Sequence, residues 1–188
     1  MPDRGDSEVS ITYCVDPGTL QSALVTLRRG GPHGYDVLDA RMFLNGVLLA
    51  ELARAPVGAT FVCERLQAMG MPIGNETIDT IFWSGRFYEA WPGASTRFLV
   101  TRGQVKIHLC GTMRAKDANV RAVLMDRFGG SNAKGTKRQP GPLYGLSGHH
   151  FSALAVGVTW LDQHPPSVPA STSLGIRPLL TAPPDVRL

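Results

Sequence analysis

Two acidic residues stand where short apolar runs stop, Asp16 after residues 9–15 and Glu64 after residues 59–63. The runs are short, β-branched and aromatic, so they read as strands, and side chains at the ends of adjacent strands in an open α/β sheet project into one crevice. Two carboxylates brought together there repel each other and lose solvation, a cost that a shared divalent cation removes. His149, at the start of a third apolar run, adds a neutral imidazole, a good donor to divalent transition metals. The acid pair and the imidazole are thus candidate metal ligands. Other chemistries find no support. Gly130 and Gly135 have the first spacing of a phosphate-binding loop, but Thr136 stands where lysine is needed and no strand leads in. No Gly-x-Ser-x-Gly elbow is present, and Cys14, Cys63 and Cys110 are too widely spaced for a structural zinc site.

The elements that must carry these residues follow from hydrophobic period and turn chemistry. Residues 9–15 and 20–27 form a hairpin bent at Asp16-Pro17-Gly18. Met42, Leu44, Leu48, Leu49 and Leu52 share one face of a helix spanning about 40–55, and a strand at 59–63 follows. A helix begins near Asn75 and ends before Pro92, with Trp83, Phe87 and Trp91 on one stripe beside Phe82 and Tyr88. That stripe is either a core face or a surface for a second copy or for unstacked bases. Residues 98–100 and 105–109 read as strand, the latter enclosing a structural His108. A helix at 117–128 follows, then a Gly, Lys and Ser-rich surface loop at 131–148 and a helix over 149–160. The order is two or three strands, helix, strand, helix, strand, helix, helix, an α/β layering around a mixed sheet.

The chain has 188 residues, 43% hydrophobic and 18% charged, enough for one sizeable core. No apolar run approaches membrane-spanning length and the first eight residues lack a basic, then apolar, leader, so neither a membrane nor an exported protein is expected. Three unpaired cysteines in apolar runs suit a reducing cytoplasm. The net charge of +4 conceals a division: residues 97–138 hold ten basic side chains against Asp117 and Asp126, leaving the remainder net acidic. A cationic block beside an acidic remainder is the footprint of a phosphate-backbone binder. From 164 onward prolines crowd a tail that cannot sustain helix or central strand.

Four segments together, Val15-Asp16-Pro17-Gly18-Thr19, Val62-Cys63-Glu64, Lys116-Asp117-Ala118-Asn119-Val120-Arg121 and Gly148-His149-His150-Phe151-Ser152-Ala153-Leu154-Ala155-Val156, resemble those of RuvC-like Holliday junction resolvases, above all phage-encoded ones. The resemblance spans about 9–160. It implies an RNase H-like fold, a mixed five-stranded sheet flanked by helices, over residues 1–163, with 164–188 as a Pro-rich tail. It also implies an endonuclease that hydrolyses phosphodiesters of four-way junctions with two Mg²⁺ or Mn²⁺ ions. Asp16 would bridge both ions and Glu64 would hold one. His149 takes a place where most relatives have Asp, and Ser152 the place of a second Asp found in bacterial members. Two cations about 4 Å apart activate a water and stabilise the leaving oxygen without any covalent nucleophile. Lys116, beside the crevice, would hold a phosphate oxygen, with Arg114, Arg121, Lys134, Lys137 and Arg138 along the DNA backbone. A two-fold substrate that needs paired cuts suits a homodimer, working in a bacterial or phage-infected cytoplasm. The alternatives are a nuclease for other branched or flapped DNA, and a junction-binding protein with a degraded metal site.

Overall fold

The structure, a computed structural model, describes residues 10–68, 70 and 72–165. Three strands open the chain, β1 (Ile11–Asp16), β2 (Gln21–Arg29) and β3 (Tyr35–Leu44), followed by helix α1 (Asn45–Leu52). β4 (Thr60–Arg65), α2 (Asn75–Ala90) and β5 (Arg97–Thr101) come next, then α3 (Arg102–Cys110), α4 (Asp117–Arg127) and α5 (Gly148–Gln163). The five strands form one mixed sheet in the order β3-β2-β1-β4-β5. β1, β2 and β3 are antiparallel neighbours, whereas β1, β4 and β5 run parallel. This is the expected five-stranded α/β architecture of the RNase H-like class.

Strand alternation divides the core between two faces. Cys14, Val25, Leu27, Val62 and Val100 face α5 together with Val105 of α3 and Val120 and Leu124 of α4. Val15, Leu24, Phe61 and Cys63 face Leu48 and Leu52 of α1, Phe87 of α2 and Trp91 just past its end. Helix α5 is apolar on most sides because it lies directly on the sheet: a Cβ at Gly157 would fall 2.2 Å from Cys14 Sγ and 2.9 Å from Leu27 Cδ1, so only glycine permits this approach. The stripe of Trp83, Phe87 and Trp91 is a core face. Phe87 and Trp91 are buried, Trp83 stacks on Phe87 at 5.8 Å, and Trp91 stacks on Phe61 at 5.4 Å. Phe82, by contrast, is exposed with Ile78 and Ile81.

Two elements differ from the sequence expectation. The expected helix over 40–55 begins only at Asn45, because Met42, Phe43 and Leu44 extend β3 along β2 opposite Ala23, Ser22 and Gln21. The expected strand at 105–109 is the body of α3. The alternation Val105, Ile107, Leu109 imitates a strand, but the ends decide the matter. Thr101 Oγ1 accepts from Gln104 N at 3.2 Å, Thr101 N donates to Gln104 Oε1 at 2.8 Å, and Gly111 closes the helix in the left-handed region at φ 72°. Cys110 therefore ends a helix and is half-buried, while Cys14 and Cys63 lie buried in β1 and β4 as read. The 131–148 segment is an ordered connection pinned by buried Ala133, Leu143 and Leu146. Among the described residues no helix is long and apolar enough to cross a membrane. Residues 166–188, nearly all of the Pro-rich stretch 164–188, lie outside the described residues.

Candidate active site

Parallel pairing of β1 with β4 matches Val15 to Cys63, so the next residues along, Asp16 and Glu64, stand side by side where β1 ends and one residue before β4 does. The Asp16 bend is fixed from beneath. Ser22 Oγ donates to Asn45 Oδ1 at 2.7 Å and accepts from Gly18 N at 3.1 Å, while Asn45 Nδ2 donates to Gly18 O and Thr19 O at 2.9 and 3.1 Å. Both side chains are buried, so the turn rests on a fully paired polar cluster. On the opposite wall, Ser147 caps α5, its Oγ and backbone N both meeting His150 Nδ1, at 2.9 and 3.0 Å. The cap presents His149, the second residue of the helix, to the acid pair, with Nδ1 3.0 Å from Asp16 Oδ2. If Nδ1 carries the proton, Nε2 keeps its lone pair on a ring that is 73% exposed.

The carboxylates are far less accessible, with side chains 13% exposed at Asp16 and 12% at Glu64. Burial pushes the Asp16 carboxyl up, against the lowering hydrogen bond from His149. Burial, and then the Asp16 charge beside it, pushes Glu64 up to about 7. Holding both acids ionised in this buried place is costly, a cost that a bound cation removes.

A cation of the protein's own already approaches it. Arg102, the first residue of α3, places Nη1 3.8 Å from Glu64 Oε2 and Nη2 2.5 Å from Asp117 Oδ1. It also donates from Nη1 to Ser152 Oγ at 3.4 Å. A cavity of about 430 Å³ opens beside it, walled by Arg102, Asp117, Arg121, His149, Phe151 and Ser152 among others. Arg121 lies over the Phe151 ring, 4.8 Å from its centroid.

The sequence-derived residues fall into two groups. Asp16, Glu64, His149, Ser152 and Arg121 gather at one end of the sheet. Lys116 is exposed just before α4 and does not line the cavity, and Arg114 is exposed two residues earlier. Lys134, Lys137 and Arg138 lie on a small hairpin beyond the other end of α4, closed by Gly141 N donating to Lys134 O at 3.0 Å. Arg102, Asn45 and Ser22 were not singled out. Arg102 had one available signal, a charge directly after a strand that pairs with β4, but the strand reading of 105–109 placed it in a connection. Asp117 opens α4, as expected of a helix-start acid, and meets Arg102 there. Asp16, Glu64 and His149 offer hard oxygen donors and an imidazole, a set suited to a divalent cation. Among the described residues no group of three or more His, Cys, Asp or Glu side chains is drawn together as a ready-made metal cluster.

No protein-family model and no curated protein matches the sequence. Solved structures do match. Thermus thermophilus RuvC, in complex with a Holliday junction substrate, is similar at 18% sequence identity and a TM-score of 0.57, over 80% of this chain and 92% of that one. A second structure of Thermus thermophilus RuvC gives 18% identity and a TM-score of 0.58 over 79% and 92%. The fowlpox virus Holliday junction resolvase matches at 12% identity with a TM-score of 0.46. The chain thus has the RNase H-like fold of RuvC, the architecture that sets Asp16 and Glu64 at neighbouring strand ends.

Proposed function

We propose that the protein is a structure-selective DNA endonuclease that resolves four-way junctions by phosphodiester hydrolysis with Mg²⁺ or Mn²⁺. The observation that carries this reading is the buried Asp16–Glu64 pair at adjacent parallel strand ends, faced by His149 and opening on a cavity that Arg102 and Arg121 line. Asp16, Glu64 and His149 would hold the metal, which when bound supplies Lewis-acid polarisation and a water acidified toward neutral pH. The chain's own residues then have distinct tasks. Asp16 and Glu64 fix the charge and geometry of the crevice. His149, oriented by Asp16 through Nδ1, keeps Nε2 as its metal donor. Arg121, supported by Phe151, offers a cation to a phosphate oxygen on the wall formed by α4 and α5. A two-fold substrate supports a homodimer, and the exposed Ile78, Ile81 and Phe82 on α2 supply an apolar surface for one.

One observation favours the second reading, a junction-binding protein without cleavage: Ser152, beside the acid pair, is a neutral hydroxyl already engaged by Arg102. Incubating the protein with a labelled four-way junction in Mn²⁺ or Mg²⁺ separates the two. We expect paired cuts in the wild type, and none with Asp16→Asn, which should still bind the junction because it loses a negative charge. Tight binding with no cutting in either metal would establish the second reading, and equal cutting of flaps would broaden the substrate.

A further inference from the structure

Three elements converge on Arg102. Its backbone is set by the Thr101–Gln104 cap of α3, and its guanidinium reaches Glu64 of β4, Asp117 at the start of α4 and Ser152 in the first turns of α5. It also walls two cavities, one of about 430 Å³ on the α4–α5 side and one of about 220 Å³ shared with Glu64 on the β4–α3 side. A side chain 27% exposed and held by two carboxylates and a hydroxyl is a fixed part of the site rather than a mobile surface arginine.

The charges make its role specific. Counted ionised, as ligands of a cation are, Asp16 and Glu64 together with Asp117 bring three negative charges and Arg102 one positive, leaving two that a single divalent ion neutralises. A second ion would have to sit against a guanidinium that does not deprotonate. On that side Ser152 offers a neutral hydroxyl, already engaged by Arg102, where a metal calls for an anionic donor.

We infer that Arg102 is a permanent cation of the site, standing in for one of two metal ions, so that Asp16, Glu64 and His149 hold one divalent ion per chain. The inference rests on the metal reading above and revises the expected count of ions. Arg102 stays charged there, since a guanidinium does not deprotonate in a protein. Its place beside the acid pair suits it to a non-bridging oxygen of the phosphate that the ion engages from the other side.

Counting bound Mn²⁺ tests this without any turnover. The full chain, free of DNA, is titrated by calorimetry and by the paramagnetic resonance of free Mn²⁺, with circular dichroism to confirm folding. We expect one ion per chain in the wild type and in Arg102→Lys, which keeps the charge. We expect close to two in Arg102→Ala, where Glu64 and Asp117 are left unpaired, and none at this site in Asp16→Asn. Two ions in the wild type would overturn the inference and leave the metal reading intact, as would a count that stays at one in Arg102→Ala. No Mn²⁺ binding by the wild type would remove both. Should Arg102→Ala fail to fold, Arg102→Gln carries the same expectation, and the wild-type count stands as a test by itself.

Discussion

Asn45 touches no reacting group, yet the placement of Asp16 depends on it. Its amide closes the Gly18 and Thr19 carbonyls and accepts from Ser22, all in a buried cluster behind the turn that carries the acid. Replacing it by alanine leaves one hydroxyl and two carbonyls short of partners, and each such loss costs about 1 to 3 kcal/mol before relaxation. We expect Asn45→Ala to lower stability by about 2 kcal/mol in urea titration and to cut cleavage more than junction binding, since the slackened turn no longer aims Asp16. A stability loss with cleavage unchanged in the folded fraction would mean the turn holds its shape by strand pairing alone. The contrast between Asp16 and Asn45 shows what single residues reveal. Asp16, Glu64 and His149 were legible because a polar residue at the end of an apolar run has few structural uses. Asn45 and Arg102 were not, because their partners lie 15 or more residues away in sequence, on elements that meet only once the chain is folded.

Helix α5 supplies His149 at one end and is anchored at the other by Asp162. That carboxylate receives Arg127 of α4 through both guanidinium nitrogens, each at 2.6 Å, His108 of α3 at 2.7 Å, and the Tyr35 hydroxyl of β3. Burial alone would raise its pKa, but the hydrogen bonds from Arg127, His108 and Tyr35 outweigh it and bring the group down to about 2. A carboxylate depressed below its unfolded value of 3.8 contributes stability that is fully present above that value and is lost as pH falls toward 2. We therefore expect the wild-type unfolding free energy to fall steeply between about pH 4 and pH 2. Asp162→Asn should be less stable at pH 7 and flatter across that window. Parallel curves for the two proteins would assign the acid transition to other groups. His108 was read as structural, and this anchor is its structural use, although the element that carries it is a helix rather than a strand. The elements with unambiguous signals, α4, α5, β1 and β4, agree with the sequence reading. α3 and the start of α1 do not, because period-two apolar spacing at 105–109 and helical spacing at 42–52 were outweighed by the Thr101–Gln104 cap and by the pairing of β3 along β2.

Across the whole molecule, the cationic block resolves into two populations. Arg97 pairs with Glu89 at 3.2 Å, Arg127 with Asp162, and Arg102 with Glu64 and Asp117, so three of its members serve the protein itself. The others make no ion pair among the described residues. They are divided in space, with Lys106 of α3 on the wall of the smaller cavity. Arg114, Lys116 and Arg121 lie around the first turn of α4, next to the cavity. Lys134, Lys137 and Arg138 lie past the last turn of this eleven-residue helix, which is about 16 Å long. The hairpin that bears the second set is tightly turned. Thr136 and Gln139 exchange backbone hydrogen bonds of 2.9 and 3.1 Å, and a Cβ on Gly135 or Gly141 would lie 2.3 or 2.2 Å from a carbonyl oxygen. Three cations on the hairpin past the far end of α4 are suited to the backbone of a DNA arm, a contact that adds affinity without reading bases. Replacing Lys134, Lys137 and Arg138 together by alanine should reduce the slope of log affinity against log salt by about 2 to 3, measured by fluorescence anisotropy on a labelled junction. Cleavage of junction already bound at low salt should be unchanged, because no residue of the hairpin lines the crevice. An unchanged slope would confine the DNA to the α4–α5 wall. A lost cleavage rate at saturation would mean that the arm must be held at both places for the scissile phosphate to reach Asp16 and Glu64.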